Sequence, residues 1–221
     1  MALVNHVMIV LSQDPASSWL SYAKAVDPNN ADTTIITKME AYWKICDIPA
    51  EISCYFTPWF GIETSDNLNL LQPVNPFNRQ WTIYNEYFQW KPEHNYNSRS
   101  HDVKPNDIIY GSVTYDGDTK NSYTLHIGDL NDKWNVNSTI DIQKDANGKY
   151  KRYTIGYVVF EHPCSTCKHY PPDISIIFYD INIEYNNTKV EPKWTTAVKT
   201  DVCNNRANVL NESAIEITWQ S

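Results

Sequence analysis

The chain has 221 residues, 42% of them apolar and 20% charged, with a formal net charge of −8. So much apolar sequence supports a sizeable core and excludes a disordered chain. The acidic balance, without a basic stripe, argues against nucleic acid as a partner.

In chain order, the first feature is the apolar run VMIVL at 7–11. It is too short to span a membrane and lacks the basic flank of a signal peptide, so no membrane partner is expected. SSWLSYAKAV at 17–26 reads as a short helix or as a strand feeding a sheet, which makes residues 1–30 an N-terminal extension or the first strand. Strand signals follow: TIITKMEAYWKI (34–45), WTIYNEYFQW (81–90), DIIYGSVTY (107–115), SYTLHI (122–127), YTIGYVVF (153–160), ISIIFYDINIEY (174–185) and AIEITW (214–219). YDGDTKN, DANGK, HPCSTCKHYPPD and EYNNTK supply turns between them. Evenly spaced strands with polar turns predict an all-β, antiparallel β-sandwich or jelly roll. No linker, repeat or break divides residues 1–221, so a single domain is expected.

Several chemistries find no motif. Six glycines include no phosphate-binding loop, and no Gly-x-Ser-x-Gly elbow occurs. HPCSTCKH brings His162, Cys164, Cys167 and His169 close in sequence, but structural zinc sites usually draw ligands from two separated segments. The preferred reading is no metal, with a loop closed by a Cys164–Cys167 disulfide or two free thiols. Cys46 and Cys54 could bridge neighbouring strands, leaving Cys203 over among the five cysteines. Asn137, Asn186 and Asn211 begin glycosylation sequons, which matter only in a secreted chain. Among the acids near aromatics, Glu63, Glu86, Glu93 and Glu161, spacing alone selects no glycosidase pair.

Strand parity adds one pattern. Val159 and Glu161 share a face, opposite Val158 and Phe160, and Leu68, Leu70 and Gln72 share a face if LNLLQ is extended. Each apolar row then ends on one polar group.

Read in order, the segments resemble the glutamic peptidases known as eqolisins, acid proteases found mainly in fungi. Trp19 in SSWLSY matches the family's N-terminal tryptophan, and MEAYWKICDIP its first Val-Pro-like strand end. WFGIETS matches Trp-Val-Gly-Ile-Asp-Gly at Trp59, Gly61 and Ile62, and NLLQPV matches Leu-Gln-Thr-Gly at Gln72. YFQWKP keeps Trp90 and Pro92 of Trp-Tyr-Glu-Trp-Tyr-Pro, PNDIIYGSV supplies Asp107 before a strand, and GYVVFEHP lays Glu161 on the second glutamate of Ala-Glu-Trp-Ile-Val-Glu. The resemblance implies a concanavalin-like sandwich of two curved sheets. It implies peptide-bond hydrolysis in acid by Glu161 and Gln72, with Trp59, Trp19, Glu63 and Gln89 around the substrate and no cofactor. The implied partner is a peptide or unfolded protein, met by a monomer in a secreted or acidic compartment.

The sequence also departs from the family. Gln89 stands for a glutamate, Glu63 for an aspartate, Asn85 for an aspartate, and Thr64, Pro73 and Val74 replace the residues beside the motifs. Fewer carboxylates around the dyad imply a shifted pH optimum or a chain that no longer cleaves peptides. The alternative is a lectin-like binder on the same fold, with Trp81, Trp134 and Trp194 stacking on sugars.

Overall fold

The computed structural model describes residues 16–30 and 33–221; the run at 7–11 lies outside them. Among the described residues, seventeen strands form two sheets, with one 3-10 turn at Cys167–His169. Numbered in chain order, the nine-stranded sheet runs β15 (Lys193–Val198), β1 (Trp19–Val26), β12 (Tyr153–Glu161), β3 (Tyr55–Thr64), β4 (Asn69–Val74), β6 (Trp81–Trp90) and β5 (Phe77–Asn78). β7 (Glu93–Asn97) and β8 (His101–Val103) also pair with β6. The eight-stranded sheet runs β11 (Trp134–Asp141), β10 (Ser122–Asp129), β9 (Ile108–Tyr115), β2 (Ile36–Lys44), β13 (Ser175–Tyr185), β17 (Ala214–Thr218) and β16 (Arg206–Asn211), with β14 (Thr188–Lys189) on β13. The architecture is the expected all-β antiparallel sandwich. The ambiguous SSWLSYAKAV is a strand, paired on one side with β12 and on the other with β15.

The inner faces of the two sheets make the main core. Phe60, Ile62, Leu71, Val158 and Phe160 point into it from the nine-stranded sheet, meeting Trp43, Phe178 and Trp219. Phe160 stacks on Trp219 at 5.2 Å between ring centres. Asn85, fully buried, joins the sheets through one amide: its Nδ2 donates to the carbonyls of Leu125 and Val136, each at 3.2 Å. An aspartate there would aim a carboxylate at two carbonyl oxygens. The amide at position 85 therefore belongs to the core and is no lost active-site acid.

The alternate residues of the same strands point away from the core. Trp59, Leu70, Val74, Ile155, Tyr157 and Val159 form a second apolar cluster there with Trp19. Gly61 lies on this outer face, where a Cβ would stand 2.3 Å from the Leu71 carbonyl oxygen and 2.9 Å from Gln72 Cβ. β3 and β4 approach this closely only because position 61 has no side chain.

The cysteines pair differently from expectation. Cys54 bonds Cys164, Cys167 bonds Cys203, and Cys46 is a buried free thiol whose titration burial pushes up. The loop after β12 passes between the start of β3 and the segment before β16, so each cysteine of CSTC has a partner from elsewhere, with Cα separations of 5.9 and 5.4 Å. Cys54, Cys164 and His169 crowd together, but both sulfurs are spent in the disulfide.

Two outcomes follow. Gly61→Ala should destabilise the protein by about 1–3 kcal/mol in urea unfolding, since backbone must move to admit the methyl. Joint replacement of Cys54 and Cys164 by serine, which opens a closure spanning 110 residues, should cost about 2–5 kcal/mol in the same measurement.

Candidate active site

The outer face of the nine-stranded sheet carries a cleft of about 290 Å³. Glu161, Gln72, Glu86, Glu63 and Trp19 line it. The shared faces expected from parity are present: Val159 and Glu161 point outward from β12, and Leu70 and Gln72 from β4.

Glu161 ends β12, opposite Trp19 on one neighbour and Thr57 on the other. Trp59, two residues further along β3 and on the same face, sends its indole Nε1 to Glu161 Oε2 at 2.8 Å. The Ser18 hydroxyl donates to Oε1. Both carboxylate oxygens thus accept, one from strand β3 and one from the residue just before β1. His162 follows in the left-handed region, at φ 70°, with Nε2 3.8 Å from Oε1.

Gln72 sits opposite Glu86 of β6 and donates from Nε2 to Glu86 Oε2 at 2.7 Å. Its own Oε1 is buried and has no hydrogen-bond partner. Burial raises the Glu86 carboxyl from 4.5 to about 7; the Gln72 hydrogen bond opposes this and the charge of Glu161 adds to it. Glu86 therefore shares the cleft with Glu161 and Glu63, and it holds its proton over most of the acid range. Tyr55 and Tyr84 hydrogen-bond each other nearby, and burial pushes Tyr55 up to about 12.

The remaining expected site residues divide. Trp19 and Glu63 line the cleft, and Glu63 accepts a hydrogen bond from Tyr157. Trp59 is 0% exposed, so it supports Glu161 from below and offers no surface to a ligand. Gln89 is not in the cleft. β6 alternates, with Glu86, Phe88 and Trp90 on the cleft side and Tyr87 and Gln89 on the inner side. There Gln89 Oε1 accepts from the Tyr87 hydroxyl at 2.7 Å, and Nε2 donates to the Pro92 carbonyl at 2.7 Å. Glu86 is the carboxylate that faces Gln72, and period-two counting along WTIYNEYFQW from either cleft aromatic, Phe88 or Trp90, would have found it. Of the sugar-stacking candidates, Trp81 is buried in the core, Trp134 stacks on His101, and Trp194 Nε1 donates to the Glu212 carbonyl.

No family model and no curated protein matches the sequence. Solved structures do match the fold. Scytalido-glutamic peptidase bound to a transition state analog inhibitor superposes with a TM-score of 0.66 at 14% identity, covering 91% of this chain and 98% of that one. SCP-B, a member of the eqolisin family of peptidases in complex with the tripeptide Ala-Ile-His, superposes with a TM-score of 0.64 at 14% identity over the same shares. Across nearly its whole described length, the chain shares its fold with eqolisin peptidases.

Proposed function

We propose that the cleft hydrolyses peptide bonds in acid, with Glu161 as general base and then acid, and Gln72 as oxyanion donor. The observation that carries this reading is a single cleft holding both residues, with each Glu161 oxygen fixed by a donor from a different element. Glu161 takes a proton from water as the water oxygen bonds to the scissile carbonyl carbon. The carbonyl oxygen gains the charge, and an N–H of Gln72 stabilises it, a contribution of about 3 kcal/mol for one such donor. The C–N bond then breaks as Glu161 returns the proton to the amine nitrogen.

Glu86 sets when Gln72 can serve. An ionised Glu86 holds the Gln72 amide and places a second negative charge beside the developing oxyanion. Protonated, it removes that charge, and the Gln72 N–H not given to Glu86 serves the oxyanion. A neutral Glu86 beside the base Glu161 divides the labour. Trp19 and Glu63, with the apolar wall of Leu70 and Phe88, would receive an extended peptide or unfolded protein. The two disulfides suit a secreted protein in an oxidising compartment. The protein is read as a single-domain monomer that needs no cofactor.

A second reading rests on the same two carboxyls. A raised acid and a second carboxylate across a cleft also suit glycoside hydrolysis. That reading requires Glu86 as the acid, so Glu86→Gln would abolish it, while the peptidase reading survives the substitution.

Acid proteolysis of a denatured protein decides between them. Wild type should cleave it, Glu161→Gln should lose about 10²–10⁴-fold, and Gln72→Ala about 10²–10³-fold. Inert wild type, or an equally active Glu161→Gln, overturns the proposal.

Glu86 gives a pH prediction with a definite sign. Its folded-state value, about 7, lies above 4.5, so the folded protein binds the extra proton between those values. Stability should fall as pH rises through that window, by up to about 3 kcal/mol. Urea midpoints should show this slope in wild type and a flatter one in Glu86→Gln. The same variant should extend peptidase activity to higher pH, because position 86 can no longer ionise.

A further inference from the structure

We propose that His101, Asp129 and Asp132 bind a first-row divalent cation of the zinc type at the edge of the sandwich, away from the cleft. His101 opens β8, Asp129 ends β10, and Asp132 lies in the turn that follows. Their ligand atoms all lie within 4.8 Å of one another.

The turn aims the Asp129 carboxylate. Its Oδ1 accepts from the backbone N–H groups of Asn131 at 2.8 Å and Asp132 at 3.3 Å. That leaves Oδ2, whose side chain is 0% exposed, pointing at His101 Nε2 from 3.6 Å. Both atoms are buried and neither has a hydrogen-bond partner. A direct hydrogen bond would need about 2.8–3.0 Å. Two buried polar atoms facing each other beyond that reach are costly, and a shared ligand removes the cost. Ligands of one tetrahedral ion at 2.0–2.2 Å stand roughly 3.3–3.6 Å apart. Asp129 Oδ2 meets that spacing from His101 Nε2, and Asp132 Oδ2 at 3.8 Å comes within small side-chain adjustment of it. Asp132 is half-exposed, so further positions on the ion open to water.

The imidazole is oriented for this task. The Trp134 ring stacks on it at 4.5 Å and 9° between planes, and the Arg99 guanidinium lies over Trp134, 5.5 Å from the ring centre. One nitrogen with two carboxylate oxygens favours zinc and its neighbours over calcium, which prefers six or more oxygens. Because β8 pairs with β6 of the cleft sheet and β10 belongs to the other sheet, an ion here would clamp the two layers together.

The test uses the untagged full chain, stripped with EDTA and titrated with zinc chloride at neutral pH by calorimetry, with thermal melts alongside. The proposal expects about one zinc per chain and a melting point raised by several degrees at saturation. Calcium chloride should give no rise. His101→Ala and the exposed-site variant Asp132→Ala should each weaken binding at least about tenfold and lose the rise. Absence of zinc binding by wild type, or undiminished binding in folded Asp132→Ala, overturns it. His101→Ala adds a second check, since losing its stack on Trp134 leaves the Asp132 result independent.

Discussion

Each central strand of the nine-stranded sheet must serve two media at once, and strand parity is what lets it. On β12, Val158 and Phe160 enter the core while Tyr157, Val159 and Glu161 face outward. β3 and β4 alternate in step with it, so Phe60 and Leu71 are inside while Trp59 and Gln72 are outside. A slip of one residue in any of these pairings would send a carboxylate or an amide into the aromatic core, at several kcal/mol per unpaired group. The packing that holds the sandwich together is therefore the same constraint that gathers the polar side chains into one cleft.

Within that cleft, the electrostatics follow from burial and spacing. Glu86 is hidden more deeply than a free carboxylate tolerates, and the charge of Glu161 faces it. The fold accepts this because Glu86 can hold its proton in acid and because Gln72 gives it a partner. The arrangement is stable in the same range where a neutral neighbour best suits an oxyanion donor. Stability and the proposed chemistry thus point the same way in pH, an agreement not guaranteed by either one alone.

Much of this was legible in the sequence, and the rest was hidden for physical reasons. The alternating strand 81–90 and the apolar run at 153–160 announce themselves, and so do the outward faces of Glu161 and Gln72. The exposed strands β15 and β16 do not, because they bury too little apolar surface to show a period, whereas β11 alternates Trp134, Val136 and Ile140 with polar residues and was overlooked. Matching letters of a motif to Gln89 missed the parity that puts Glu86 in the cleft, while Asn85 looked like a lost acid and is a bridge between sheets. The disulfides were out of reach altogether, because proximity between Cys54 and Cys164, 110 positions apart, exists only after the sheet has formed.

The two polar residues of the cleft are supported from opposite sides. Glu161 takes its donors from β3 and from the residue before β1, whereas Gln72 takes its partner from β6. β3 lies between them, and at Gly61 an added Cβ would stand 2.9 Å from Gln72 Cβ. A change on β6 should therefore act through the amide and its pH dependence while leaving the Glu161 carboxylate in place. A change in the segment leading into β1 should do the reverse. β3 touches both, through Trp59 on one side and Gly61 on the other, so substitutions there couple the two residues.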